Sequence, residues 1–174
     1  MGYWSEVIRK TNRTRWLRNL ALTGSMVGAT VVAGTLATDP QGQWYEGLSK
    51  PDWQPPREAF PIVWTALYAD IALTSAAALT ELERRGDEQA AADFRKALVV
   101  NLVLNGAWSW LFFRSHNLAA SAIGAGVLAA SSIQLARNAR RAGRRCAVLL
   151  APYALWTSFA TVLAAVVWQR NPNG

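Results

Sequence analysis

The chain has 174 residues, a net charge of +7 and a mean hydropathy of only +0.08, an average typical of a water-soluble protein. Its single cysteine excludes an internal disulfide, and its single histidine excludes a metal site built from histidines. The charges, however, are clustered and leave long stretches almost free of charge. Because a stretch of about 20 apolar residues spans a bilayer as a helix, the composition favours an integral membrane protein over a soluble protein that binds nucleic acid.

Five apolar segments have the length of a membrane span. In chain order they cover residues 16–37, 60–80, 97–113, 118–136 and 147–168. In lipid each must be a helix, because an open strand would leave backbone groups unpaired. The sequence therefore predicts an all-α fold, an integral membrane bundle of five transmembrane helices over residues 16–171. Residues 1–15 form a basic N-terminal extension, for which a helix on the membrane surface and a disordered tail are equally compatible with the sequence.

The basic residues predict how the bundle is oriented. Of the 18 Lys and Arg residues, 14 lie in the N-terminal segment and in the segments 81–96 and 137–146. With five spans these three segments face the same side of the membrane. Since loops rich in Lys and Arg remain in the cytoplasm, we expect a multi-pass protein with its N-terminus in the cytoplasm and its C-terminus outside.

The third span carries two amides on one helical face. Asn101, Asn105, Trp108 and Phe112 are spaced four, three and four residues apart, which places them on the same side of a helix. An amide in a membrane span is costly unless it faces protein or water, so this face should point into the bundle. Taken alone, the residues favour hydrogen bonds to neighbouring helices. The alternative is that they line a ligand site.

Aromatic residues mark one face of two further spans. These faces comprise Trp64, Tyr68, Ile71 and Ser75 on the second span, and Tyr153, Trp156, Ala160 and Val167 on the fifth, which Pro152 is expected to bend. Together with the third span they can wall a flat apolar cavity with few polar groups, the usual form of a ligand site. Simple packing of aromatic residues between helices is the alternative.

Two other features have structural interpretations. Asp70 is the only carboxylate well inside a span, and Thr74 lies one helical turn further on. We therefore expect a structural or protonated carboxyl group that bonds to Thr74. Gly24 and Gly28 form a GxxxG pair, which indicates close helix packing either within the monomer or between two copies. The sequence contains no G-x-S-x-G motif, P-loop or Cys–His pair.

Four sequence motifs occur in the order, and on the helices, expected of a known family. They are WYEGLSKPDWQPP from Trp44, FPIVWTALY from Phe60, NLVLNGAWS from Asn101 and PYALWTSFA from Pro152. With these motifs the chain resembles, from about residue 44 to residue 171, the TspO/MBR family. These are the tryptophan-rich sensory proteins related to the mitochondrial translocator protein, once called the peripheral benzodiazepine receptor.

The resemblance implies a five-helix bundle in a bacterial cell membrane, often a homodimer, that binds a porphyrin such as protoporphyrin IX or another flat hydrophobic ligand. The function implied is that of a tetrapyrrole sensor, scavenger or transporter, with no cofactor or metal of its own. The alternatives are photo-oxidative degradation of porphyrin, with Trp44 and Trp156 at the matching catalytic positions, and binding of sterols or other lipids. The ligand-binding positions that match are Trp44, Tyr45, Pro55, Trp64, Tyr68, Asn105, Trp108, Trp156 and Ala160.

The chemistry of a porphyrin is compatible with these residues. Indole faces stack on a flat apolar ring, and Lys50 and Arg57, in the first loop, are expected to pair with its anionic propionates. His116 lies in the loop between the third and fourth spans, so we do not expect it to ligate a haem iron. The resemblance places the mouth of the site at the loop 44–56, opposite the basic segments.

Overall fold

The computed structural model describes the backbone of residues 2–172 and the side chains of residues 11–172. The regular elements of this part are all helices: α1 (Gly2–Ala37), α2 (Gln43–Gly47), α3 (Ala59–Arg84), α4 (Glu88–Phe113), α5 (Leu118–Ala142), α6 (Arg144–Leu149) and α7 (Ala151–Arg170). Five helical stretches of the described residues are long and apolar enough to cross a membrane, namely α1, α3, α4, α5 and α6 with α7. The predicted all-α bundle of five spans is confirmed.

The first helix is longer than a membrane span requires. It runs without interruption from Gly2, and its 36 residues measure about 54 Å at 1.5 Å per residue. The hydrocarbon core of a bilayer is about 30 Å thick, so α1 extends beyond it. The side chains of residues 1–10 lie outside the described part. The boundary at residue 15 and the position of the extension relative to the membrane therefore stay predictions.

Local residues explain where several helices begin and end. The side chains of Asp87 and Asn117 cap α4 and α5 by accepting a first-turn backbone N–H, at 3.0 Å and 2.9 Å respectively. Gly86, between α3 and α4, has a φ of +74°, a conformation that glycine adopts at little cost. The fifth span breaks at Leu150, between α6 and α7. This break lies immediately before the bend expected at Pro152.

Two apolar clusters form the core. The larger one joins all five spans around Ile71, Phe94 and Tyr153, each completely buried. The second surrounds Phe112 and Leu163, and it packs the α2 segment against the ends of α4, α5 and α7. The aromatic faces of α3, α4 and α7 therefore point into the bundle, where a site can be built.

The glycines of α1 and α5 differ in what surrounds them. A Cβ added at Gly124 of α5 would lie 2.8 Å from the Leu111 side chain, so this glycine allows α4 and α5 to approach closely. A Cβ added at Gly24 or Gly28 of α1 would meet nothing within 4 Å. The explanation of the GxxxG pair by packing within the monomer is therefore wrong. Packing between two copies stays a prediction.

The basic segments meet at one end of the bundle. Arg18 of α1 and Arg95 of α4 both pair with Glu83 of α3, at 2.6 Å and 3.4 Å. Arg141 of α5 pairs with Asp93 of α4 at 3.0 Å. These contacts show that the three segments share one end, as the alternation of five spans predicts. Which end faces the cytoplasm stays a prediction.

Candidate functional site

Aromatic rings of α3 and α7 form one half of the candidate site. We call Phe60, Trp64, Tyr68, Trp156 and Phe159 the α3–α7 aromatic group. Trp64 stacks on Tyr68 with ring centroids 5.3 Å apart and meets Trp156 edge to face at 6.5 Å. Trp156 also contacts Phe60 at 5.8 Å and Phe159 at 5.4 Å. The structure thus brings together three of the predicted ligand-binding residues, Trp64, Tyr68 and Trp156.

A second group of rings lies where α2 meets the end of α4; we call this end of the bundle the mouth, after the expected position of the site. Phe112 is its centre: it stacks on Trp108 at 5.2 Å and meets Trp44 at 5.5 Å and Tyr45 at 6.0 Å. Trp44 in turn stacks on His116, with centroids 4.3 Å apart and an interplanar angle of 18°. We call these five residues the mouth aromatic group. It contains the predicted residues Trp44, Tyr45 and Trp108.

Phe60 and Phe159 connect the two groups. Both contact Trp156, and both pack against the same buried cluster as Trp44 and Trp108. Within residues 11–172 no ring contact joins Trp44 directly to Trp156. The two positions assigned to porphyrin degradation by resemblance therefore lie in different groups.

Two further predicted ligand-binding residues, Pro55 and Ala160, are half-buried and aliphatic. Pro55 lies in the loop beside Gln54, whose amide donates to the Tyr45 hydroxyl at 3.4 Å. Ala160 lies one helical turn beyond Trp156 on α7. Both therefore lie close in sequence to one of the two aromatic groups, and their contact with a ligand stays a prediction.

Beneath the rings, a chain of hydrogen bonds joins four spans; we call it the polar network. The Tyr68 hydroxyl donates to Asn105 at 2.8 Å, and Asn105 donates to the Tyr153 hydroxyl at 3.0 Å. Tyr153 donates to Asn101 at 2.8 Å, and Asn101 donates to Ser132 at 3.0 Å. The network connects α3, α4, α7 and α5. The interpretation of the two amides as hydrogen-bond partners of neighbouring helices is confirmed.

The polar atoms of the site differ in what they bind. The Asn105 side chain is already bonded to both Tyr68 and Tyr153, and the Trp108 indole N–H donates to the Ser121 carbonyl at 2.9 Å. The indole nitrogen of Trp156 is buried and has no partner among the described residues. An unsatisfied buried donor costs about 1–3 kcal/mol. A ligand whose acceptor bonded to the Trp156 N–H would remove this cost.

The sequence comparison identifies the family. The profile of the TspO/MBR family matches residues 20–169, which include all of the site. The chain belongs to the TspO/MBR family. The match begins before the first motif, within α1, so all five spans belong to the family domain.

The relatives of this TspO/MBR protein include bacterial and animal members. The "Uncharacterized membrane protein YtaB" of Bacillus subtilis (strain 168) is 36% identical over 129 residues, which are 74% of this chain and 81% of that protein. The "Tryptophan-rich sensory protein" of Cereibacter sphaeroides is 33% identical over 150 residues, 84% of this chain and 87% of that one. The "Translocator protein" of Homo sapiens is 31% identical over 153 residues, covering 85% and 83%.

Two cations lie at the mouth of this TspO/MBR site. The Lys50 ammonium lies 4.4 Å from the centroid of the Tyr45 ring, and Arg57 pairs with the exposed Glu46 at 3.2 Å. Burial, and then the charge of Arg57, lower the pKa of Lys50. Burial also raises the pKa of Tyr45, which keeps its hydroxyl neutral. The mouth therefore presents positive charge beside neutral aromatic rings.

The end of α7 fastens the loop that carries these cations. The Asn171 amide accepts a hydrogen bond from the Ser49 backbone N–H and donates one to the Ser49 carbonyl, each at 2.9 Å. Arg170 donates to the Lys50 carbonyl at 2.9 Å. These bonds fix the position of the loop over the site.

Asp70, on α3, makes one hydrogen bond to its own helix. The Thr74 hydroxyl donates to one of its carboxyl oxygens at 2.8 Å, which confirms the predicted bond. The other carboxyl oxygen is buried without a partner among the described residues.

Sequence reasoning left several site residues unassigned. Phe60 lies four residues before Trp64 and Phe159 three residues after Trp156, so helical periodicity could have identified both. Tyr153 was placed on the inward face of its span but not in the site. His116 carries no periodic signal because it lies in a loop, and its stacking on Trp44 depends on the fold.

Proposed function

We propose that this TspO/MBR protein is a membrane tetrapyrrole-binding protein that senses, scavenges or transports porphyrins such as protoporphyrin IX. The proposal depends chiefly on the unpaired indole N–H of Trp156, buried among the rings of α3 and α7. A ligand with flat apolar faces would stack on these rings. A hydrogen-bond acceptor on it would satisfy the Trp156 donor.

The cations of the mouth support a ligand with carboxylates at its edge. The Lys50 ammonium contacts the carbonyls of Glu46 and Leu48 only at 3.4 Å, and Arg57 has an exposed ion pair. Exposed pairs contribute about 0–1 kcal/mol, so little stability is lost when a ligand carboxylate replaces Glu46. Charge-assisted bonds from Lys50 and Arg57 to two propionates would hold the ligand at the mouth.

The proposal includes a membrane location, an orientation and an oligomeric state. The protein would lie in a bacterial cell membrane with the basic end in the cytoplasm, so that the ligand enters from the opposite side or through the lipid. A homodimer is supported by the family resemblance and by the open space at Gly24 and Gly28.

The test is a titration of the full-length protein with protoporphyrin IX, followed by quenching of tryptophan fluorescence. Trp156→Phe keeps an aromatic face and removes the N–H, so we expect about tenfold weaker binding. The control is Trp168→Phe, which removes an exposed indole from the same helix and should bind like the wild type. Equal affinity in all three proteins would refute the role of Trp156, and no saturable binding would refute the function.

A further inference from the structure

The two loops at the basic end differ in how their charges are balanced. In the segment 81–96 the carboxylates neutralise the arginines. Glu81 pairs with Arg84 at 2.8 Å and with Arg85 at 2.6 Å, and Glu83 pairs with Arg95. The segment 137–146 contains five arginines and no Asp or Glu. Of these two loops, the one where α5 meets α6 therefore carries the uncompensated positive charge.

Four of these arginines, which we call the arginine cluster, have no carboxylate partner within residues 11–172. They are Arg137, Arg140, Arg144 and Arg145. All four are exposed. The fifth, Arg141, pairs with Asp93 of α4. An exposed cluster of like charge repels itself unless an anion is bound to it, so the cluster indicates a negatively charged partner.

An exposed apolar side chain of α5 lies one helical turn before this cluster. Ile133, one helical turn before Arg137, is 38% exposed. Arg137 and Arg140 follow Ile133 at spacings of four and three residues, which keeps them on the same side of the helix. The surface that would meet acyl chains thus ends at two guanidinium groups.

The neighbouring helix α6 also carries arginines beside exposed apolar residues, but here the arginines come first in the chain. Arg144 and Arg145 begin the helix, and Val148 and Leu149 follow each of them after four residues, 60% and 53% exposed. Helix α5 packs against both α6 and α7. Two adjacent apolar surfaces therefore end at the same four arginines.

We propose that the arginine cluster binds the phosphate headgroup of an anionic phospholipid, whose acyl chains lie against Ile133, Val148 and Leu149. A guanidinium group binds phosphate oxygens through two parallel hydrogen bonds. Clusters of four to eight basic residues beside a membrane span are typical of anionic-lipid sites. The exposed apolar side chains next to the cluster favour a lipid over an acidic protein, because a soluble partner would leave them uncovered. The site is separate from the porphyrin site proposed above.

The experiment measures phospholipid binding to the full-length protein by native mass spectrometry, with phosphatidylglycerol and phosphatidylcholine as probes. The wild type should prefer phosphatidylglycerol. In Arg144→Gln/Arg145→Gln the affinity for phosphatidylglycerol should fall about thirtyfold, from the loss of two basic residues at the membrane surface. Arg13→Gln/Lys96→Gln is the matched control, since it removes the same charge from the same end outside the cluster.

Each outcome decides the proposal. Loss of phosphatidylglycerol in the cluster variant but not in the control supports it. An equal loss in both variants would show diffuse attraction to the charged end and overturn the site, as would equal binding of the two lipids to the wild type. Displacement of phosphatidylglycerol by millimolar inorganic phosphate would also overturn it. Such a result would show that the cluster binds any phosphate group and that the acyl chains do not contribute to binding. An unchanged melting temperature of the variant in phosphatidylcholine confirms that it folds.

Discussion

The middle of the bundle and the region towards its mouth differ in how their polar side chains are hydrogen-bonded. In the middle, Tyr68, Asn105, Tyr153 and Asn101 bond to one another across four spans. Towards the mouth, Trp156 has an unpaired buried donor, and the hydrogen bonds of the Lys50 ammonium are long, at 3.4 Å. Hydrogen bonds between protein groups contribute to stability, and unpaired polar groups are free to bind a ligand. We infer that the polar network stabilises the bundle, and that Trp156 and the cations of the mouth recognise the ligand.

The largest expected effect is a loss of stability in the middle. Tyr153→Phe removes a hydroxyl that bonds to both Asn105 and Asn101, and it leaves two buried amides short of a partner. We expect the free energy of unfolding to fall by about 2 kcal/mol, measured by unfolding in a denaturing detergent. The control is Ser158→Ala on the same helix, whose hydroxyl bonds to its own helix at Ala154 and should cost little. Equal stability of the two variants would contradict a stabilising role of the polar network.

A smaller effect at the mouth depends on pH. The lowered pKa of Lys50 means that its ammonium loses its charge at a lower pH than the ordinary value of 10.5. Binding of a ligand with carboxylates should therefore weaken a few-fold as pH rises through the pKa of Lys50, because a neutral amine no longer attracts an anion. The same titration with Lys50→Arg should lose this pH dependence, since arginine remains charged. Identical pH profiles would exclude Lys50 from ligand binding.

The smallest effect concerns the loop that α7 fastens. Asn171→Ala removes both hydrogen bonds to Ser49 at an exposed position, so we expect global stability to change by less than about 1 kcal/mol. Hydrogen exchange of the Ser49 amide should nevertheless increase several-fold. Asn171→Asp keeps the acceptor for this amide and should protect it more than alanine does. Unchanged exchange in Asn171→Ala would show that other contacts hold the loop.

The sequence was most informative for the long helices, in which the periodic spacing of residues extends over several turns. Five spans and the inward faces of three of them follow from apolar length and from spacings such as Asn101 to Asn105. The five-residue helix α2 is too short to show a period, and it was not predicted. The contacts of Ser49 with Asn171 and of Trp44 with His116 join residues far apart in sequence, so only the fold reveals them.

The amide of Asn105 shows the limit of resemblance. The family resemblance assigns it to the ligand site, whereas its spacing with Asn101, taken alone, favours bonds between helices. In the structure its side chain is bonded to Tyr68 and Tyr153. Spacing predicts which way a side chain points. It does not predict which partner is bound, because this depends on residues of other helices.

The account distinguishes the bonded polar network from the unpaired donor of Trp156. The most direct test of this difference is the hydrogen-bonding state of the Trp156 indole N–H. Its ¹⁵N-indole NMR signal, assigned by its loss in Trp156→Phe, should lie where unbonded indoles lie in the free protein and shift downfield when protoporphyrin IX is added. The Trp108 signal, already bonded to Ser121, should move less. Saturable porphyrin binding with an unchanged Trp156 signal would contradict the account.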